Sequence, residues 1–306
     1  MYDVITVGSA LKDIFVDTGL KEIKKGKRKL IAYPSGYKII VKRINFSIGW
    51  GGTNTAVGFS RMGLKTAYLG KIGKEDSSKE ILELLKKEKV EFIGKQVEGI
   101  CGHSVILDSY EHNRTILTFK GPSDDLKFDE IDLKKLKTRW IYLASAQGET
   151  LKTQKKIVEF AKKQNIKIAF NPSEYEVKLG IEGLKGILNK TDVLILNKEE
   201  AEMLSRRNKI KEIFESLNKV GVKIICITNG AEEINAFYER EIFKIKPRKV
   251  KVVDATGAGD AFASGFLSGL IKKNNIELAM KIGLKNSQSV LREHGSKNRL
   301  LYWREI

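Results

Sequence analysis

The 306-residue chain is strongly basic, with 56 lysine and arginine residues against 38 acidic residues and a formal net charge of +18. Its hydrophobic content of 42% excludes an intrinsically disordered chain. No apolar run reaches the roughly 18 residues that a membrane-spanning helix needs, and the N-terminus carries acids before its apolar run, so we expect neither a membrane anchor nor a signal peptide.

The positive charge comes mainly from lysines spread along the chain and interleaved with acids. Without an aromatic-rich RNA-binding signature or a helix-turn-helix pattern, this distribution is typical of a solvated surface, and we expect no nucleic-acid partner. Cys101 and Cys226 lie far apart inside apolar runs, as expected of reduced, buried cysteines in a cytoplasmic protein. Three histidines and two cysteines offer no zinc-ligand spacing.

Strand-like apolar runs alternate with amphipathic helical stretches, which is the pattern of a parallel sheet covered by helices on both faces. In chain order the predicted elements are a strand at 3–8, a helix at 54–63, a strand at 66–69, a helix at 77–88, a strand at 139–144, a helix at 150–164, strands at 167–170 and 192–196, a helix at 198–204, strands at 223–228 and 249–253, and helices at 258–273 and 276–292. We therefore predict an α/β fold, a three-layer αβα sandwich, as one domain spanning residues 1–306.

Two segments, about 14–48 and 100–119, break this alternation. They contain the extended-looking stretches IFVD, YKIIVK, INFSI, HSVILDSY and RTILTF, with turns such as His112-Asn113. We predict that they form a small β-sheet outside the main layers. The functional interpretation is a lid over a site between strand ends, which would also be a candidate surface for a homodimer; the alternative is an additional sheet edge.

The most informative motif is DATGAGDAF, which begins at Asp254. Gly257, Ala258 and Gly259 stand where a helix should begin, and small residues there allow backbone N–H groups to approach an anion. Asp260 then falls in the first helical turn, where a carboxylate can accept a proton from a hydroxyl that attacks a bound phosphate. Without further motifs, the same residues could be an ordinary glycine-rich helix start.

The segment resembles the D-T-x-G-A-G-D signature of the ribokinase-like carbohydrate kinases, the PfkB family. The resemblance implies a ribokinase-like fold, ATP as phosphoryl donor, an anion hole formed by Gly257, Ala258 and Gly259, and Asp260 as the catalytic base. The family often carries a monovalent cation beside this signature, so the resemblance also implies K⁺ near Asp254.

Two further strand ends resemble the nucleotide side of this family. Asn197 and Glu200 resemble its N-x-x-E motif, which organises Mg²⁺ and its waters, and oxygen ligands suit that ion. Alone, Asn197 is also a good helix N-cap with Glu200 as its capping-box partner. Thr228 and Gly230 follow the next strand and resemble nucleotide contacts, although Glu233 replaces a glycine that the pattern usually has.

The acceptor side of the family is also represented. Asn54 and the preceding Gly51 and Gly52 resemble a glycine motif that contacts substrate hydroxyls, but Trp50 stands where the pattern usually has a glycine. The alternative is a tight turn before a helix.

Asp13, five residues after the glycine that ends the first predicted strand, resembles an aspartate that binds two substrate hydroxyls. Its two acceptor oxygens suit a vicinal diol. Asp17 is a weaker rival for that role, and the alternative is a surface aspartate after a strand.

Taken together, the motifs indicate an ATP-dependent kinase that transfers the γ-phosphoryl group to a hydroxyl of a sugar or nucleoside. Two alternatives stay open: a sugar-phosphate kinase, in which Lys12, Lys42, Arg43 or Arg114 would reach the phosphate, and a non-catalytic paralogue that binds sugar or nucleic acid. The sequence contains no G-x-x-x-x-G-K-[ST], and no G-x-G-x-x-G follows the first strand, which argues against P-loop and dinucleotide-binding enzymes.

Overall fold

The computed structural model describes residues 1–26, 28–110 and 114–306. Its strands are β1 (Tyr2–Val7), β2 (Leu11–Asp17), β3 (Ile23–Lys25), β4 (Arg28–Leu30), β5 (Arg43–Gly49), β6 (Thr66–Leu69), β7 (Lys71–Gly73), β8 (Glu91–Phe92), β9 (Lys95–Val97), β10 (Gly102–Asp108), β11 (Arg114–Phe119), β12 (Thr138–Leu143), β13 (Lys167–Phe170), β14 (Val193–Asn197), β15 (Ile224–Thr228), β16 (Ile234–Tyr238) and β17 (Glu241–Ile245). Its α-helices are α1 (Gly51–Arg61), α2 (Asp76–Lys87), α3 (Gly148–Lys163), α4 (Glu174–Val177), α5 (Gly180–Leu188), α6 (Lys198–Ser205), α7 (Ile210–Lys219), α8 (Ala258–Lys273) and α9 (Ile276–Val290).

A nine-stranded main sheet runs in the order β17-β16-β15-β14-β13-β12-β1-β6-β8. The strands from β15 to β8 pair in parallel, and the hairpin β16–β17 is added to one edge in antiparallel orientation. Parallel strands all end at the same edge, so residues that follow β1, β14 and β15 meet there.

Both faces of the main sheet are buried, because alternate residues of each strand face opposite helix layers. In β12, Tyr142 faces the layer of α1, α8 and α9 and packs edge-on against Phe59, with ring centroids 5.3 Å apart. Its neighbour Leu143 faces the layer that contains α3, α5, α6 and α7. This arrangement confirms the predicted three-layer αβα sandwich.

Helix α8 lies unusually close to α9. A Cβ atom on Gly265 of α8 would come within 2.9 Å of the Gly283 Cα atom in α9. Most of α8 is buried, from Ala261 through Leu270. Phe262 and Phe266 of α8 pack in one cluster with residues of the main sheet, so the helix that begins at the signature motif is fixed against that sheet.

A second sheet, here called the lid sheet, has the order β11-β10-β2-β5. β2 pairs in parallel with β10 and antiparallel with β5, and β11 is added antiparallel to β10. Only residues 8–10 separate β1 of the main sheet from β2 of the lid sheet. The predicted small sheet outside the main layers is confirmed.

Several details of the sequence interpretation were wrong. The stretch 249–253 is not a strand; it is largely exposed, and the N–H of Val253 donates to the carbonyl of Leu291 at 2.8 Å, beyond the end of α9. The apolar-looking stretch 37–42 is also mostly exposed and forms no strand, since it has no buried face to stabilise one. The predicted turn at His112-Asn113 lies outside the described residues. Hairpin β16–β17 and helices α5 and α7 were not predicted.

Cys101 and Cys226 are both buried and form no disulfide, as expected. No helix in the described ranges combines the length and apolar character needed to cross a bilayer.

Candidate active site

Asp260 and Asn54, predicted from separate motifs, are in direct contact. Asn54 Nδ2 in α1 donates to Asp260 Oδ2 in the first turn of α8 at 2.7 Å. Burial raises the pKa of Asp260, while the hydrogen bond from Asn54 and the positive charge of Lys297 oppose that rise. The hydrogen bond from Asn54 holds one oxygen of the Asp260 carboxylate and so fixes the orientation of the group. A fixed orientation suits a carboxylate that accepts a proton.

Lys297 contacts Asn54 on the side away from Asp260's hydrogen bond, through the Asn54 carbonyl oxygen, and was not predicted. Its Nζ donates to Asn54 Oδ1 and to the carbonyl of Ile48, and Ser296 Oγ donates to Asn54 Oδ1 at 2.9 Å. Burial lowers the pKa of Lys297 to about 8, against the opposing effect of nearby Asp13 and Asp260. Nothing in the sequence distinguishes this lysine, because the chain has 56 lysine and arginine residues and Lys297 belongs to no motif.

Asp13 completes the same cluster. It lies in β2 and is 5% exposed, and a Cβ atom on Gly49 of the neighbouring strand would overlap its carboxylate. Burial raises the pKa of Asp13, whereas Lys297 and the nearby polar groups of Ser104 and Trp50 lower it. The structure therefore joins three separate sequence motifs around one buried ammonium group.

Trp50 adopts a backbone conformation that favours glycine, with φ 75° and ψ 152° at the start of α1. Such a conformation costs a non-glycine residue about 1–3 kcal/mol and persists only where the surroundings enforce it. The indole Nε1 donates to Ser104 Oγ of β10 at 2.8 Å, which ties the turn to the lid sheet. Trp50 therefore replaces the glycine expected at this position, while the backbone keeps the conformation that glycine would favour.

The two glycines after Trp50 have different surroundings. A Cβ atom on Gly51 would lie 3.5 Å from Asp260 Oδ1, so Gly51 borders the site. A Cβ atom on Gly52 would lie 2.6 Å from the carbonyl oxygen of Ser9, which places Gly52 against the end of β1. Of the two, Gly51 is the one placed near Asp260.

The predicted anion hole lies at the N-terminus of α8. Gly257 is the N-cap with φ 77°, and a side chain there would overlap Ser296. The N–H of Ala258 donates to the carbonyl of Ala255 at 3.3 Å. A Cβ atom on Gly259 would meet nothing within 4 Å. First-turn N–H groups have no intrahelical partner, so this end of α8 offers donors and open space to an anion.

Asp254, at the start of the same motif, has both oxygens engaged. Its Oδ1 accepts from Thr256 Oγ1 at 2.6 Å and from Arg114 Nη1 at 3.1 Å, and its Oδ2 accepts from the N–H of Gly295 at 3.0 Å. Burial alone would raise the pKa of Asp254, but these donors and the Arg114 charge hold it below its usual value. A monovalent cation at this carboxylate would have to bind through Oδ2, which among the described residues accepts from one donor and keeps a lone pair.

The predicted nucleotide residues lie at the ends of adjacent strands. Asn197 and Thr228 are paired in the register of β14 and β15. Asn197 Oδ1 accepts from the N–H of Glu200 and Glu200 Oε2 accepts from the N–H of Asn197, each at 2.8 Å, so the capping box is present. Burial raises the pKa of Glu200 to about 7. Gly230 is exposed, with φ 54°.

Metal-binding capacity is limited in the part of the chain that the structure describes: no three His, Cys, Asp or Glu residues cluster so as to hold an ion. A metal at Asn197 and Glu200 would therefore keep much of its water shell, as Mg²⁺ prefers. The fit is adequate for that ion, because a carboxylate that caps a helix through one oxygen can accept from a metal-bound water through the other.

The four lid cations have different surroundings. Arg114 reaches the signature motif, where it also donates to Thr256 Oγ1, and Arg43 is exposed. Lys12 Nζ binds Glu80 at 2.6 Å, and Arg114 binds Asp254. Lys42 lies over the ring of Tyr110, 5.7 Å from its centroid.

Comparisons with known proteins agree with this geometry. The pattern of the pfkB family carbohydrate kinases matches residues 24–301. An uncharacterized sugar kinase of Archaeoglobus fulgidus is 31% identical over 251 residues, covering 80% of this chain and 98% of that protein.

Among solved structures, a ribokinase of Thermotoga maritima superposes with a TM-score of 0.83 at 23% identity, covering 100% of this chain and 98% of its own. A putative ribokinase II of E. coli, solved with ATP and Mg²⁺, gives a TM-score of 0.83 at 18% identity and covers 100% of this chain and 97% of its own. These likenesses show the ribokinase-like fold, and with the family match they lead to one conclusion: the chain belongs to the pfkB family and is a carbohydrate kinase.

Proposed function

We propose that this kinase transfers the γ-phosphoryl group of ATP to a hydroxyl of an unphosphorylated sugar or nucleoside, with Asp260 as the catalytic base. The observation that carries the proposal is the position of Asp260 in the first turn of α8, held by Asn54 at 2.7 Å and beside the open backbone at Gly259. A carboxylate there accepts the hydroxyl proton while first-turn N–H groups stabilise the charge on the transferred group.

The acceptor side is assigned to Asp13, Asn54 and Gly51. Asp13 would accept hydrogen bonds from two hydroxyls, and its distance from solvent would strengthen them. Lys297 supports this role, because its charge favours the ionised form of both Asp13 and Asp260. An acceptor between the two carboxylates would be held by one and deprotonated by the other.

The nucleotide side is assigned to Asn197, Glu200, Thr228 and Gly230. Burial chiefly raises the pKa of Glu200, and the charges of Glu199, Glu174 and Asp260 add to that rise, which supports a nucleotide side adjacent to Asp260. Asn197 and Glu200 would hold Mg²⁺ through its waters. When bound, Mg²⁺ neutralises charge on the nucleotide phosphates. The E. coli neighbour with ATP and Mg²⁺ supports this choice of donor and metal.

We also propose that two copies associate through the lid sheet. β11 is exposed along its whole length, and Phe46 in β5 and Phe119 in β11 are 59% and 57% exposed. Exposed apolar edge strands favour pairing with another chain. Sedimentation of the wild type should show a dimer, and Phe119→Lys should shift it toward monomer; a monomeric wild type would contradict this assignment.

The main proposal is tested by measuring ADP release with ATP and a panel of ribose, fructose, a nucleoside and fructose 6-phosphate. We expect turnover with an unphosphorylated acceptor and its loss in Asp260→Asn. No acceptor-dependent turnover with any unphosphorylated compound, or a kcat/KM at least about tenfold higher for fructose 6-phosphate, would contradict it.

A further inference from the structure

Arg114 joins the lid sheet to the signature motif. It is the first residue of β11, an edge strand of the lid sheet, whereas Asp254 and Thr256 lie in the turn before α8. Arg114 Nη1 donates to Asp254 Oδ1 at 3.1 Å and to Thr256 Oγ1. The first of these contacts spans 140 positions of the sequence, so it forms only when the lid sheet and α8 take their places in the folded protein.

Asp254 fixes the shape of the turn that leads into α8. Its Oδ1 accepts from the N–H of Thr256 at 2.8 Å and from Thr256 Oγ1 at 2.6 Å, a side-chain turn typical of aspartate. Its Oδ2 accepts from the N–H of Gly295 at 3.0 Å. Gly257, the N-cap of α8, follows this turn directly. The Asp254 carboxylate therefore helps to position the first residue of the proposed anion hole.

This carboxylate is ionised although little of it reaches water. Its side chain is 8% exposed. Burial raises the pKa of Asp254, but hydrogen bonds from Thr256 and Gly295 and the charge of Arg114 bring it below its usual value. A buried carboxylate is costly unless a positive charge compensates it. Within the described ranges, Arg114 is the only cationic side chain that forms an ion pair with Asp254.

A guanidinium and a monovalent cation can satisfy the same oxygen atoms. The resemblance to carbohydrate kinases implied K⁺ near Asp254, and the structure places the Arg114 guanidinium on Asp254 Oδ1 and on the Thr256 hydroxyl. K⁺ binds where protein oxygens replace its hydration shell. Without Arg114, Asp254 and Thr256 would offer it adjacent oxygens, whereas a guanidinium carried by the chain is always charged and cannot diffuse away.

We propose that Arg114 is a positioning residue that serves as the fixed cation of the signature turn, in place of a bound monovalent cation. It holds Asp254 and Thr256 and, through them, the start of α8. Because Arg114 belongs to the lid sheet, the turn has this charge partner only when the lid sheet is in place. The proposal goes beyond the proposed function, since it concerns what the turn needs and not which acceptor is phosphorylated.

The test compares Arg114→Met and Arg114→Lys with Arg139→Met. Arg139 is a matched control, because its Nη1 also pairs with an aspartate, Asp3 Oδ1 at 3.4 Å, near the start of β12 and so at the opposite edge of the main sheet from the strand ends. The melting temperature and kcat of each protein are measured in KCl and in tetramethylammonium chloride at equal ionic strength. Tetramethylammonium is too large to enter between the oxygens.

We expect the wild type and Arg139→Met to give the same melting temperature and kcat in both salts. In tetramethylammonium chloride, Arg114→Met should melt a few degrees lower, with kcat reduced about tenfold or more, because the turn has lost its cation. K⁺ should restore most of both losses, and Arg114→Lys, which keeps the charge without the planar fork, should lie between. Adding Asp254→Asn to Arg114→Met should abolish the response to K⁺, which locates the ion at this carboxylate.

Three results would overturn the proposal. The first is a wild type whose melting temperature and kcat rise with K⁺ at constant ionic strength, because it would then need a bound cation in addition to Arg114. The second is an Arg114→Met protein that matches Arg139→Met in both salts, and the third is one that is impaired but unaffected by K⁺. The melting temperatures need no acceptor, so absence of turnover would refute the proposed function and still leave this proposal decided.

Discussion

The two halves of the proposed active site are built in physically different ways. On the acceptor side, Asp13, Asn54 and Lys297 are 5%, 4% and 6% exposed and are linked to Asp260 through hydrogen bonds and charge. On the nucleotide side, Asn197 and Gly230 are exposed, and the polar groups of Asn197 and Glu200 also cap α6. The acceptor half places several charges in the interior at a cost in stability, whereas the nucleotide half uses polar groups that also cap a helix.

The largest effect is expected at the residue where the halves meet. Asp260→Asn retains the shape and the contact with Asn54 but removes the proton acceptor, so kcat should fall roughly 10²-fold or more. ATP binding, measured by calorimetry, should be nearly unchanged, because the nucleotide half is assembled from other elements. Near-normal turnover in the purified variant would refute the assignment of Asp260.

Removal of Lys297 probes the buried charge network. Lys297→Met leaves Asp13 and Asp260 without their buried cation, and loss of one partner of a buried pair typically costs about 3–5 kcal/mol of the free energy of unfolding. Because Lys297 lowers the pKa of Asp260, its removal should raise that pKa and shift the acidic limb of the kcat/KM profile to higher pH.

Urea denaturation measures the loss of stability in Lys297→Met, and pH–rate profiles measure the shift of the acidic limb. The exposed Lys167→Met serves as control and should alter neither. An unshifted acidic limb in a folded Lys297→Met enzyme would mean that Lys297 does not act on the base.

Substitutions at Gly257 and Gly259 of the signature motif allow a structural effect to be measured separately from a catalytic effect. Gly257→Ala meets Ser296 and a φ of 77°, so it should destabilise the protein by more than about 1 kcal/mol. Gly259→Ala meets no atom within 4 Å and should change the free energy of unfolding by less than about 1 kcal/mol. Its methyl group would nevertheless occupy the space proposed for the phosphoryl group, so kcat should fall about tenfold or more. Full activity in Gly259→Ala would place the anion elsewhere.

The smallest expected effect distinguishes a metal-binding role for Glu200 from simple capping. Glu200→Gln preserves the capping box, which accepts either residue, but removes the charge. We expect an unchanged melting temperature and a several-fold higher Mg²⁺ concentration for half-maximal activity. In the wild type, with a Glu200 pKa of about 7, this concentration should rise as the pH falls below that value. Glu202→Gln, on the same helix, is the control. If both variants and the wild type need the same Mg²⁺ concentration for half-maximal activity, Glu200 acts only as a helix cap.

The sequence predicts those parts of the molecule that rest on local periodicity and on short motifs. Helix α8 was predicted at its observed bounds, 258–273, because its apolar face and its small first-turn residues are both local features. The same holds for the capping box at Asn197, whose partners are three residues apart. Asp13, Asn54 and Asp260 could be chosen as candidates, but their contacts depend on which strands and helices become neighbours.

Residues that act through distant contacts could not be predicted. Lys297 reaches Asn54 from 243 positions away, and Lys120 meets Trp50 only because β11 pairs with β10. Neither lysine differs in local context from the many solvated ones. The false strand at 249–253 has the opposite origin: its valines are β-formers, but the segment pairs with none of the described strands and is largely exposed.

Asp13 lies within β2, a strand of the lid sheet, while Asp260 lies on a helix fixed against the main sheet. Under the proposed function, any displacement of the lid sheet therefore carries the acceptor-binding carboxylate away from the base. Product release and loss of the acceptor-binding geometry would then be one event, while Asp260 would keep its hydrogen bond from Asn54 of α1. The short connection at residues 8–10 would couple the two without a separate gate.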